Sequence, residues 1–82
     1  VSKAEHVVTL ITRVGCHLCE TAEQRLRALA AELGFAFREV DVDGSPELKR
    51  AYSDKVPVVV LDGREHSHFR LDEAKLRRDL RR

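Results

Sequence analysis

The sequence has no long apolar run. The longest, Val56 to Leu61, is six residues and includes a proline, far short of the ~18 consecutive apolar residues a membrane-spanning helix needs, so no membrane partner is expected. Net charge is scarce as well. Fifteen basic against fourteen acidic side chains leave +1, too little to hold a polyphosphate by counterion release, and nucleic acid is not an expected partner. Length is the third shortage: 82 residues lie below the ~100–200 of a usual domain, so residues 1–82 are read as a single domain with no inter-domain cleft. A chain this size has a radius of gyration of about 12 Å, which puts any site near the surface. Repeats and low-complexity segments are missing, and the first six residues, Val1 to His6, lack the apolar stretch of a signal peptide. The cytoplasm is therefore the expected location. What is present, 43% hydrophobic and 35% charged residues, describes a folded globular chain with a modest core.

Val7-Val8-Thr9-Leu10-Ile11-Thr12 is a β-branched run of strand length, apolar on both faces, which predicts an inner strand covered on two sides. Leu18, Ala22, Leu26, Leu29, Ala30 and Leu33 recur at helical spacing and Gly34 follows them as a stop, predicting a helix from Leu18 to Leu33. Phe35 to Val42 predicts a second strand and Asp43-Gly44 a turn. Ser45-Pro46 opens a short helix with a capping serine and a proline in its first turn. Val56 to Leu61 predicts a third strand, Asp62-Gly63 a hairpin turn, and Glu65 to Phe69 a shorter, more polar fourth strand. Asp72 caps a last helix carrying Ala74, Leu76 and Leu80. The order β-α-β-α-β-β-α joins a right-handed βαβ unit to an antiparallel hairpin, which predicts an α/β fold with one mixed four-stranded sheet flanked by helices on both faces. Phe35, Phe37 and Phe69 are expected in the core.

The chain's two cysteines stand in Cys16-His17-Leu18-Cys19, between the first strand and the first helix. A thiolate at a helix start faces unpaired backbone N–H groups and the positive end of the helix dipole, which lower its pKa and make Cys16 the expected nucleophile. Cys19, three residues on, shares a helix face with Cys16 and is placed to attack a mixed disulfide formed there. A purely structural disulfide is a weaker reading, because closing so short a loop stabilises by only about 2 kcal/mol against about 3 for fifteen residues. Zinc is the other alternative, with His66 and His68 on one face of the fourth strand as further ligands. No second Cys-x-x-Cys or His-x₃₋₅-His follows at finger-like spacing, whereas a Cys-x-x-Cys at the strand-to-helix junction of a βαβ unit is a redox signature. No metal is expected.

Thr12-Arg13-Val14-Gly15-Cys16-His17-Leu18-Cys19, with Lys55-Val56-Pro57 ahead of the third strand, resembles a glutaredoxin-like protein of the thioredoxin superfamily, and the element order extends the likeness over nearly the whole chain. The resemblance implies a thioredoxin-like fold and a thiol–disulfide oxidoreductase with Cys16 and Cys19 as its catalytic pair. It also implies a cis bond before Pro57, in a loop facing the cysteines, and a Val56 backbone that pairs with a bound substrate strand. Arg13 matches a basic residue usual three positions before the first cysteine. Two features depart from the family: His17-Leu18 replaces the typical Pro-Tyr between the cysteines, and Arg70-Leu71 stands near the position of a Gly-Gly pair before the last helix. The Cys-x-Leu-Cys spacing is similar to that of a glutaredoxin-like subgroup. Bulky Arg70 and Leu71 are expected to weaken glutathione binding, leaving Arg13, the Val56 backbone and Asp72 to contact the tripeptide.

A protonated His17 between the thiols stabilises the thiolate and makes the pair more oxidising, while the plainer reading is a solvent-facing spacer. Arg13 and Lys55 either attract a peptide or glutathione carboxylate or lower the Cys16 pKa by their charge. The terminal run of Lys75, Arg77, Arg78, Arg81 and Arg82 complements the dipole of the last helix, with Asp72, Glu73 and Asp79 interleaved. The sequence thus describes a dithiol enzyme acting on a disulfide-containing protein or a small-molecule thiol substrate. It needs no metal or organic cofactor, only an external reductant, for which glutathione is a candidate co-substrate. The rivals are a zinc-binding module built on Cys16, Cys19 and histidines, and an interaction module whose cysteines do no turnover.

Overall fold

In the computed structural model residues 6–81 are described; the readings made of Val1 to Glu5 and of Arg82 lie outside them. Strand β1 (Val7–Thr12) is followed by helix α1 (His17–Leu33), strand β2 (Ala36–Asp41), a 3₁₀ turn (Val42–Gly44), helix α2 (Pro46–Tyr52), strands β3 (Val58–Leu61) and β4 (Arg64–His68), and helix α3 (Glu73–Asp79). The sheet order is β2-β1-β3-β4. β1 pairs parallel with β2 and antiparallel with β3, which pairs antiparallel with β4. This is the thioredoxin-like arrangement, with β1 inside as its two apolar faces require.

Alternation along the inner strands feeds two cores. Val8, Leu10 and Val59 pack with Ala22, Leu26 and Leu29 of α1 and Leu76 of α3. On the other face Ile11 and Val58 join Val42, with Leu48 and Tyr52 of α2 against them. Burying each such aliphatic side chain stabilises by about 1.5–3 kcal/mol, enough collectively to hold the sheet ends where the loops leave it.

Local chemistry sets the element ends. Ser45 caps α2 by accepting from the Leu48 N–H, Pro46 occupies the first turn, and Asp72 caps α3 by accepting from the Lys75 N–H. Gly34 ends α1 in the left-handed region (φ 82°), its N–H bonded to the Ala30 carbonyl, a conformation in which any β-carbon is strained. Asp62 and Gly63 make the β3–β4 turn with φ of 52° and 86°, as a two-residue hairpin of the I′ type demands.

Several boundaries and burials differ from the sequence reading. β3 starts at Val58 rather than Val56; Pro57 has no N–H to give a ladder. β2 is shorter at both ends, because Phe35 is buried ahead of it and Val42 turns into the 3₁₀ segment. β4 runs from Arg64 to His68, since Phe69 leaves the strand at a φ of 64°. The buried stripe of α1 is Cys19, Ala22, Leu26 and Leu29, while Leu18 and Leu33 are exposed. Ala74 faces solvent, and of the three phenylalanines Phe35 is buried, Phe37 packs at the core edge and Phe69 is 48% exposed.

Candidate active site

The loop from β1 to α1 carries the cysteines. Gly15 takes a φ of 80°, turning the chain so that the Cys16 N–H bonds the Arg13 carbonyl at 3.2 Å. Cys16 is then extended (φ −90°, ψ 112°) as the N-cap of α1, and its Sγ accepts the Cys19 N–H at 3.1 Å. The Cys16 carbonyl accepts from the Glu20 N–H. A sulfur at this cap is the acceptor that the first helical turn lacks, and a thiolate accepts more strongly than a thiol.

Cys16 and Cys19 are joined in a disulfide, with Cα atoms 5.2 Å apart. Their surroundings differ: Cys19 is 1% exposed at the head of the α1 core stripe, whereas Cys16 is half-buried. His17 between them projects into solvent, 94% exposed, with Nδ1 3.7 Å from Glu20.

The peptide bond between Val56 and Pro57 is cis. Ile11 pairs with Val58, so continuing that register brings Pro57 alongside Thr12, at the sheet end where the cysteine loop leaves β1. Among the described residues, no loop or turn hydrogen bond takes up the N–H or carbonyl of Val56. Phe69 belongs to the same end; its N–H donates to the Pro57 carbonyl at 2.8 Å and approaches that of Lys55 at 3.2 Å.

Arg13 does not project free over the cysteines. Its Nε and one terminal nitrogen bond the two Asp43 carboxylate oxygens at 3.1 and 3.2 Å, while its guanidinium also reaches Ser53 Oγ at 2.7 Å and the Ser53 carbonyl at 3.3 Å. Those bonds hold the Asp43 carboxyl below its ordinary pKa and raise that of Arg13. Arg13 therefore ties the cysteine loop to the 3₁₀ turn and the end of α2, a role invisible in the sequence because its partners lie 30 and 40 residues away. Lys55 stands 3.9 Å from Glu65, and Asp72 accepts from the Lys75 N–H at 3.1 Å.

The histidines considered as zinc ligands are engaged elsewhere. His66 Nε2 is 3.0 Å from Asp79 and His68 Nδ1 is 3.1 Å from Glu65. Among the described residues no three His, Cys, Asp or Glu side chains gather where they could hold a metal ion, which disfavours the zinc-binding alternative.

A family model described as "Glutaredoxin-like domain (DUF836)" matches residues 7–81. The chain belongs to the glutaredoxin-like family. Uncharacterised proteins of Mycobacterium bovis and Mycobacterium tuberculosis are 45% identical to it over 80 residues, covering 92% of this chain and 82% of theirs. Of solved structures, a Nitrosomonas europaea protein is similar with a TM-score of 0.83 at 30% identity, covering 96% of this chain and 95% of that one. A protein from X. campestris is 37% identical, with a TM-score of 0.66 and coverage of 90% and 95%. Fasciola hepatica thioredoxin is 30% identical, with a TM-score of 0.69 and coverage of 96% and 81%. A closely spaced cysteine pair at the first helix of this fold makes the glutaredoxin-like chain a thiol–disulfide oxidoreductase, whose chemistry is exchange with disulfides and thiols. No helix among the described residues is long and apolar enough to cross a membrane.

Proposed function

We propose that Cys16 is the attacking thiol and Cys19 the resolving one. The observation that carries this is the asymmetry of the pair: Cys16 is partly open and caps α1 through its sulfur, while Cys19 is sealed in the core. In the reduced protein the Cys16 thiolate attacks one sulfur of a substrate disulfide, forming a mixed disulfide and expelling the other sulfur as a thiolate. The Cys19 thiol then loses its proton and attacks Cys16 Sγ, which forms the Cys16–Cys19 disulfide and releases the second substrate sulfur as a thiol. Two electrons pass to the substrate, and an external thiol reductant of the glutathione or dithiol class returns them.

The other candidate residues surround this step. The N–H and carbonyl of Val56, beside Pro57, pair with the backbone of a disulfide-containing polypeptide. His17, exposed between the thiols, adds positive charge near Cys16 when protonated. Lys55 and Asp72 are the further candidates for substrate contact, and Arg13 serves by fixing the loop rather than by touching substrate. A disulfide-containing protein or small thiol compound is the partner, residues 1–82 act as one domain, and a reducing cytoplasm suits a dithiol that must be kept reduced.

The assignment is tested by following thiolate absorbance at 240 nm against pH in Cys19→Ser. The expected midpoint lies below the free-cysteine value of about 8.5; a midpoint at or above it contradicts the assignment of Cys16.

A further inference from the structure

We infer that Phe69 is a specificity-determining residue of the exchange reaction, its ring contacting an apolar side chain next to the cysteine of a polypeptide disulfide. The inference rests on Cys16 being the reacting thiol and adds the kind of chain that it meets.

Phe69 holds a φ of 64°, a conformation that sterics make costly for a residue with a large side chain. Three backbone hydrogen bonds keep it there: its N–H points to the carbonyls of Pro57 and Lys55, and the Arg70 N–H bonds the His68 carbonyl at 2.7 Å. A glycine would satisfy the same three bonds without that cost. Folding takes only a partial return from the ring, which is 48% exposed and makes an edge-on contact with its chain neighbour His68, centroids 4.9 Å apart. An aromatic ring held in an unfavourable conformation and left half in water therefore calls for a reason outside the fold.

Its surroundings supply one. Phe69 leaves β4 beside Pro57, at the sheet end that carries the cysteine loop. Val14 of that loop (88%) and Leu18 of the first turn of α1 (51%) are exposed on either side of Cys16 in the sequence. Thus three large exposed apolar side chains share the end of the molecule at which exchange occurs. Arg13, the cation nearest Cys16 in sequence, is bound to Asp43 and Ser53, whereas Arg70, next to Phe69, is exposed, so this rim combines apolar contact with one cation at its edge. An apolar or aromatic residue flanking the substrate cysteine matches such a rim.

The test compares two otherwise identical disulfide peptides, one with Phe and one with Ser next to the cysteine, and reads the ratio of their kcat/KM values. Wild type is expected to favour the Phe peptide by about two- to tenfold, the range of an aromatic pair. In Phe69→Gly the ratio should fall to about one, and in Phe69→Leu to an intermediate value, while the melting temperature of Phe69→Gly stays level or rises. A preserved ratio in Phe69→Gly overturns the inference, as does a lowered melting temperature with the ratio unchanged, which would make the ring a folding element. If wild type reduces neither peptide, the exchange reading itself fails, a separate result from the loss of preference alone.

Discussion

Replacing Gly15 by alanine isolates the backbone's share in the reactivity of Cys16. Gly15 has a φ of 80° and a β-carbon built there meets nothing within 4 Å, and the same is true of Gly34 (φ 82°) at the other end of α1. Neither new methyl clashes, so each substitution carries only the strain of an L-residue in the left-handed region, about 1–2 kcal/mol. For a domain of this length each kcal/mol lowers the melting temperature by roughly 4–8 °C, and the two variants should fall by similar amounts. Their activities should part. Relieving the strain at residue 15 rotates the chain just ahead of Cys16, pulling its N–H from the Arg13 carbonyl and its sulfur from the Cys19 N–H, now 3.2 and 3.1 Å away. Gly34→Ala moves only the exit of α1. Calorimetry paired with disulfide-exchange rates well below both melting points decides the matter. Equal rates in the two variants, or a Gly15→Ala as stable as wild type, would refute the argument that this turn aims Cys16.

Leu26→Ala empties a fully buried position in the main core and should cost about 2.7–5 kcal/mol, much of the roughly 4–12 available to a chain this long, as chemical denaturation will read. Asp62 accepts the Val7 N–H and pairs with His6, which together hold its carboxyl below the usual pKa. Its contribution is therefore present above the unfolded value of about 3.9 and lost as pH falls through the depressed folded value, so Asp62→Asn should be less stable at neutral pH and show a shallower acid limb below about pH 4. Arg13→Lys keeps the charge but loses the planar fork that reaches Asp43 and Ser53 together. Exchange should slow, and the Asp43 carboxyl followed by NMR titration should move back toward its ordinary value.

Features written locally were legible. The β-branched run at Val7–Thr12 declared an inner strand, and Ser45, Gly34, Asp62-Gly63 and Asp72 each marked an element end by side-chain or backbone chemistry that acts within a few residues. The cysteine pair was legible for the same reason, its placement following from the strand before it and the helix after it. Helix phase was harder: counting Leu18 into the apolar stripe set it one residue early, because a cysteine does not advertise burial, yet Cys19 is the residue the core takes. Arg13 read as a free cation because its partners are distant in sequence. Phe69 read as core because composition reports an apolar ring but not a positive φ, and the φ is set by carbonyls of residues 55 and 57.

The role of the two cysteines is tested most directly by trapping the intermediate. Reduced Cys19→Ser is mixed with an excess of a disulfide peptide, quenched with acid and analysed by intact mass and peptide mapping, beside Cys16→Ser treated alike. Cys19→Ser should carry one peptide in disulfide linkage on Cys16, formed rapidly, while Cys16→Ser carries almost none because Cys19 is 1% exposed. Rapid, stoichiometric labelling of Cys19 in Cys16→Ser, with Cys16 left unmodified in Cys19→Ser, would contradict the assignment.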